Sequence, residues 1–198
     1  MTLPASVLRG LAALSLVAVV AGCASSSVPR VLYDLTAPTT FPPAGKVVRG
    51  QVLVAEPRAL SSLNTNLIAV KPSATTVSYF DRVAWADRLP RLLQARMVEA
   101  LQNSGRFRAV GVPGDGILVN YQVQTDIRDF ELDAATNTVY VALMVRVLDD
   151  TTGKVVAQQL FEGRAPATAA APGKAIEAFD TALDQVLTEV TLWVAARM

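Results

Sequence analysis

The chain has 198 residues, 52% of them hydrophobic by type, with 18 Lys and Arg against 17 Asp and Glu, no His and one Cys. A charge balance this close to neutral supplies no basic field to hold nucleic acid or anionic head groups. The missing imidazole removes the commonest general base and the commonest zinc ligand, and a lone cysteine cannot form a disulfide within the chain.

Residues 1–22 read as a lipoprotein signal peptide. Arg9 supplies one positive charge, the run from Leu11 to Val20 is apolar but too short to cross a bilayer comfortably, and Val20-Ala21-Gly22-Cys23 fits the bacterial lipobox. Cys23 is then the lipidation site. A thioether-linked diacylglycerol plus an N-acyl chain exceeds the two hydrophobic signals that stable anchoring needs. The competing reading is an ordinary apolar start with an incidental cysteine, or an uncleaved anchor helix. Residues 23–30 form a small polar tether that reaches at most about 27 Å, leaving residues 31–198 as a single domain held near its membrane.

In chain order, residues 31–36 predict an edge strand and residues 37–45, with Pro38, Pro42 and Pro43, a spacer loop. Residues 47–55 alternate Val48, Val52 and Val54 with polar positions, interrupted at Gly50. Residues 67–70 and 75–80 predict a hairpin across Lys71-Pro72-Ser73-Ala74. A short connection follows, Asp81 to Ala86, and then a helix. Its apolar face is Leu89, Leu92, Leu93, Met97, Ala100 and Leu101, with Asp87 as N-cap, Pro90 in the first turn and Gly105 as the left-handed C-terminal residue.

Residues 107–112 predict a strand, and Pro113-Gly114-Asp115-Gly116 a turn. From Ile117 to Ile127, Ile117, Val119, Tyr121, Val123, Thr125 and Ile127 face one way while Asn120, Gln122, Gln124, Asp126 and Arg128 face the other, a strand with one wet side. The phase slips near Asp129, so that Phe130 and Leu132 change face, which predicts a bulge. Residues 137–148 and 154–164 complete an antiparallel meander around the turn Asp149 to Gly153. A closing helix over residues 173–196 carries the stripe Ile176, Phe179, Leu183, Val186, Leu187, Val190 and Trp193. Its polar face is acidic, which favours packing on a sheet over lying on lipid. The fold class is α+β: a mainly antiparallel (mixed) β-sheet with two amphipathic helices packed on one face.

Catalytic parts are scarce. Asp126, Asp129, Glu131 and Asp133 cluster near the phase slip, but such a group reads as a solvated strand end. Asp149-Asp150 with Gly153 lacks the ligand spacing of a calcium loop. Neither a Walker A motif nor a G-x-G-x-x-G is present, and the expectation is a non-enzyme with no cofactor and no metal site. The connection carries Arg82 and Trp85, preceded by Tyr79. One reading makes Trp85 a core cap beneath the helix start and Arg82 the partner of a nearby carboxylate. The other makes Tyr79, Arg82 and Trp85 partner contacts, since Tyr, Trp and Arg are enriched anchors of interfaces.

Tyr33-Asp34-Leu35, the strand ending Tyr79-Phe80, Arg82-x-x-Trp85-Ala86 and the helix running to Ser104-Gly105-Arg106-Phe107 together resemble the ABC-type transport auxiliary lipoproteins, relatives of the Pqi (paraquat-inducible) system's lipoprotein. The resemblance implies a periplasmic domain tethered by lipid to the outer membrane, working beside an MCE-type membrane protein of an ABC transporter in lipid transport or membrane integrity. Ala24 after Cys23, where Asp would signal inner-membrane retention, does not contradict that destination. Three function classes stand: an interaction subunit of such a transporter, a carrier that holds phospholipid between sheet and helices, and a regulator of cell-wall synthesis enzymes. Homo-oligomer formation stays open, and no nucleic acid is expected.

Overall fold

Branched apolar side chains at alternate positions, most regularly in the run Val139, Val141, Leu143, Val145 and Val147, build the centre of the molecule. In the computed structural model, which describes residues 31–43, 47–116 and 118–198, the elements run β1 (Val31–Tyr33), β2 (Val48–Val54), β3 (Ala69–Ser73), β4 (Thr76–Tyr79), β5 (Val83–Trp85), α1 (Leu89–Asn103), β6 (Phe107–Gly111), β7 (Tyr121–Asp133), β8 (Thr138–Asp149), β9 (Lys154–Pro166) and α2 (Pro172–Arg197). The signal peptide, Cys23 and tether lie outside the described residues, as does Ile117.

Strands β7, β8 and β9 form the expected antiparallel meander, paired from Tyr121↔Asp149 to Asp133↔Thr138 and from Thr138↔Pro166 to Asp149↔Lys154. The predicted phase slip is a bulge. Ile127 pairs with Leu143 and Asp129 with Ala142, so Arg128 is the extra residue. One inserted residue turns every later side chain to the opposite face, which returns Phe130 and Leu132 to the core.

The other edge of β7 is covered by three pieces of chain running parallel to it. β2 pairs from Val52↔Tyr121 to Val54↔Val123, Arg58 bridges to Asp126, and β3 pairs from Ala69↔Glu131 to Lys71↔Asp133. β6 then adds parallel to β2, and β4 antiparallel to β3. The sheet is mixed, with the long antiparallel ladders dominating, and the fold is α+β.

Both helices lie on one face. Met97 of α1 accepts a hydrogen bond from the buried Thr125 hydroxyl of β7 at its Sδ (3.7 Å), Phe179 of α2 stacks on Phe130 of β7, and Gly163 of β9 lets the backbone of α2 approach. The buried stripe of α2 includes Ile176, Phe179, Leu183, Val186, Leu187 and Val190 as its periodicity predicts, while Trp193 is half-buried against Phe161. No helix among the described residues is long and apolar enough to cross a membrane.

Three local expectations need correction. Asp87 is not the N-cap of α1: that position is Arg88, which makes no side-chain cap, and the Asp87 carboxylate instead accepts from the Arg88 N–H and pairs with Arg91. Gly105, by contrast, does take the left-handed conformation, φ 62°. The stretch after β1 is more than a spacer, because Leu35 and Ala37 are buried and Thr36 donates from N–H and hydroxyl to the Asp180 carboxylate of α2 (2.6 and 2.7 Å). Finally, residues 83–85 are a buried strand, β5, pairing parallel with β1.

The tightest approach in the fold is at Gly163, where a Cβ would sit 2.3 Å from the Ala182 carbonyl oxygen and 2.9 Å from Val186 Cγ2. Helix and strand would have to separate. Gly163→Ala is therefore expected to lower stability by about 1 to 3 kcal/mol, the usual cost of overpacking. Gly173→Ala, where the nearest atom is the Tyr33 hydroxyl at 4.0 Å, serves as the control and should melt like the parent chain.

Candidate functional site

The connection before α1 separates into a buried part and a displayed part. Val83, Ala84 and Trp85 are all buried. β5 is held by its ladder to β1, by the Trp85 N–H donating to the Asn66 carbonyl (2.8 Å) and by the Ala86 N–H donating to the Tyr33 carbonyl (2.7 Å). Trp85 is 1% exposed. Its ring meets Phe130 edge-on at 5.9 Å and Phe179 edge-on at 5.4 Å, and those two rings stack at 5.2 Å. Aromatic pairs in these geometries add to plain area burial. Trp85 thus offers no surface to a partner and is the pin that fixes the segment to both β7 and α2.

Arg82 lies on the outside of that pin. It adopts φ 57°, uncommon for a side chain with a Cβ, and its own side chain is 64% exposed, with an ion pair to Asp81 at 3.3 Å. Tyr79 is 36% exposed and its hydroxyl donates to the Ser62 carbonyl (3.1 Å). The structure therefore brings Tyr79 and Arg82 to the surface at the end of the β3–β4 hairpin and takes Trp85 away from it.

A second polar region, which the sequence shows only as a run of carboxylates, occupies the sheet face turned away from the helices. Asp126 accepts from Arg58 Nε at 2.8 Å and Arg146 Nη2 at 2.9 Å, with Arg128 Nη2 at 3.8 Å. Farther along β7, Lys71 pairs with Glu131 at 2.8 Å and Asp129 at 3.9 Å. The hydrogen bond to Glu131 raises the Lys71 pKa above the ordinary lysine value, against the opposing effect of its partial burial. These carboxylates are thus not a freely solvated strand end: Asp126 is paired with Arg58 and Arg146, and Glu131 with Lys71. Their partners Arg58 and Lys71 come from the chain 60 and more residues earlier, across the parallel pairing, so no local sequence pattern announces them.

Lys71, Asp129, Glu131, Asp133, Tyr140 and Arg164 line a cleft of about 700 Å³ at this end of the face. The Arg164 guanidinium lies 4.5 Å over the Tyr140 ring, and the Tyr140 hydroxyl donates to Glu162, which raises the phenol's pKa. Asp133 closes the β7–β8 turn by accepting from the Ala135 and Thr136 N–H groups (2.8 and 3.2 Å). Among the described residues no group of three or more His, Cys, Asp or Glu is placed to hold a metal ion.

Two outcomes follow. Trp85→Ala should cost about 3 to 5 kcal/mol while Arg82→Ala leaves the melting temperature nearly unchanged, as thermal unfolding of the two variants would read. Hydrogen bonds from the Thr136 N–H and side chain, and from the Ala135 N–H, hold the Asp133 pKa below the ordinary aspartate value. A depressed carboxyl contributes stability above its unfolded pKa and loses it as pH falls through its folded pKa. Asp133→Asn is then expected to melt below the parent chain at pH 7, with the gap closing from about pH 4 downward.

Comparisons with known proteins bear on this architecture directly. A crystal structure of a protein from Xanthomonas campestris superposes with a TM-score of 0.78 at 28% identity, over 84% of this chain and 95% of that one. Another crystal structure, of an uncharacterized protein, reaches 0.62 at 13% identity over 84% of this chain and 96% of that one, and shares the fold. An uncharacterized protein of Bradyrhizobium diazoefficiens is 31% identical over 165 residues, 83% of this chain; the chain spans 44% of that curated relative's length. The sequence profile of the ABC-type transport auxiliary lipoprotein component matches residues 33–191, from the strand beside Trp85 to the last turns of α2. With that match over most of its length, the chain belongs to the family of ABC-type transport auxiliary lipoprotein components.

Proposed function

We propose that the protein is a lipid-anchored periplasmic auxiliary subunit of an MCE-type ABC transport system, working through protein–protein contacts in envelope lipid transport. The family match over residues 33–191 carries this reading. A lipobox ending at Cys23 supports anchoring, and Ala24 in place of the Asp of inner-membrane retention is compatible with delivery to the periplasmic face of the outer membrane. Residues 31–198 act as one binding domain with no catalytic step and no cofactor. Tyr79 and Arg82, displayed beside a rigid strand, are contact residues, because a pre-ordered loop lowers the ordering cost of binding.

The packing favours an interaction subunit over a carrier. Between sheet and helices, Met97, Phe130, Phe179, Leu183 and Val186 fill the space at 0 to 1% exposure, whereas a carrier needs a persistent apolar pocket there. The cleft on the opposite face mixes charged side chains such as Lys71, Glu131 and Arg164 with Ala74, Ala135 and Tyr140, and lies outside the space between sheet and helices where a carrier would hold its lipid.

Affinity purification of the full-length lipoprotein from its own envelope is expected to recover an MCE-type membrane protein of an ABC transporter. Recovery of a cell-wall synthase in its place, or of phospholipid alone, would overturn the proposal. Cys23→Ala should leave an unlipidated precursor in the inner membrane, and unchanged outer-membrane fractionation of that variant would remove the anchor from the proposal.

A further inference from the structure

The sheet face turned away from the helices has its charges segregated along β7, and among the described residues neither helix covers it. At one pole a single carboxylate, Asp126, is surrounded by the guanidiniums of Arg58, Arg128 and Arg146. Each guanidinium carries five N–H donors, and Arg58 and Arg146 each direct one hydrogen bond to Asp126. The side chains of Arg58 and Arg128 are 65% and 57% exposed, so their remaining donors face outward. Arg146 Nε is buried and has no partner among the described residues. Asp126 thus acts as a pin that gathers more positive charge than it neutralises.

At the opposite pole the signs reverse. Lys71 stands with Glu131 and Asp129, Asp133 lines the same cleft, and Arg164 there is matched by Glu162, so carboxylates outnumber cations four to two. Because Arg128 is the bulged residue, Asp126 and Glu131 lie four ladder steps apart, opposite Met144 and Tyr140, about 13 Å at the usual rise per strand residue. Beside the guanidinium pole two apolar side chains sit on the face: Met144 pairs with Asp126 across the ladder, and Leu160, 42% exposed, pairs with Met144.

We infer that this face docks a protein partner that presents a carboxylate to Arg58, Arg128 and Arg146, with apolar side chains against Met144 and Leu160 and a cation toward the acidic pole. The inference rests on the reading of the protein as an interaction subunit and adds where the partner sits and what it carries. Charge complementarity selects a protein over an anionic lipid surface. A membrane would lay one sign of charge across the whole face, and the carboxylates at Asp129, Glu131 and Asp133 would repel it. Exposed Arg with Met and Tyr nearby is also the composition that anchors protein interfaces, and segregated charge fixes the direction in which a partner lies.

The test is photocrosslinking of the full-length lipoprotein in its own cells, with benzoylphenylalanine at Gln124 or Gln158 on this face and at Gln102 or Glu177 on the helix side. The open-face positions are expected to capture the MCE-type protein through a segment containing Asp or Glu. Arg58→Glu with Arg128→Glu should reduce capture about tenfold, the scale of losing a close interfacial charge pair, and placing Arg at the captured carboxylate should restore it. The milder Arg58→Gln with Arg128→Gln, which introduces no new charge beside Asp126, should weaken capture without altering the melting temperature. Capture of the MCE-type protein only from the helix side would remove this surface and leave the proposed function standing. Capture at the open face of a different protein, with the same charge dependence and rescue, would keep the surface and remove the MCE partnership. Crosslinks to phospholipid alone, capture indifferent to the arginine substitutions, or no adduct at either open-face position would overturn the inference.

Discussion

Arg128 is one residue more than the β7–β8 ladder can pair, and much of the molecule follows from where that excess is placed. Before it, odd-numbered side chains of β7 face the helices; after it, even-numbered ones do. Phe130 therefore enters the core, where Trp85 and Phe179 meet it. Without the bulge Asp129 and Glu131 would face those rings, and burying unpaired carboxylates there would cost far more than any packing gain. The same shift delivers Asp129 and Glu131 to the open face, within reach of Lys71. One inserted residue thus sets both the aromatic junction and the charge pattern on the other side of the sheet.

The aromatic junction in turn explains how three short pieces of chain are held. β1 and β5 have three residues each, too few to be stable as a free pair. Trp85 supplies what the ladder lacks, tying the pair to β7 and α2 through two edge-on contacts. Thr36 then bonds to Asp180 on the helix, so the beginning of the described chain is fastened at both the sheet and the helix layer. A connection that spends its large side chain on the core can still display Arg82, because Arg82 precedes the buried strand in a left-handed conformation, φ 57°, with its side chain 64% exposed.

Legibility in the sequence followed periodicity. The meander, both helices and the bulge were readable because each rests on a run of ten or more residues with a period of 2 or 3.6, or on a break in one. β5 was not, since Val83-Ala84-Trp85 is too short to show any period and is apolar throughout, so a buried strand and a short linker look alike. The Asp87 cap failed for a different reason: its carboxylate had a closer use, on the Arg88 N–H and the Arg91 guanidinium. At the candidate site the acidic run was visible, but its meaning was not. Arg58 and Lys71 reach Asp126 and Glu131 only because β2, Arg58 and β3 run parallel along one edge of β7, and parallel pairing joins segments that local pattern cannot connect.

Stability and recognition are consequently drawn from opposite faces of one sheet. The helix side holds the buried aromatic and aliphatic side chains, where each large one is worth roughly 1.5 to 3 kcal/mol by area removed from water. Ion pairs on the open side are partly or largely exposed, and pairs of that kind contribute about 0 to 1 kcal/mol each. The Asp126 cluster cannot be what keeps the domain folded. Its arginines are ordered all the same, two of them by direct hydrogen bonds to a carboxylate that β7 holds in place, and ordering a long cationic side chain costs entropy that exposed pairing barely offsets. A set of guanidiniums held in register, contributing little to the fold and carrying donors that face outward, is an arrangement whose free-energy return comes only when an acceptor from outside completes it.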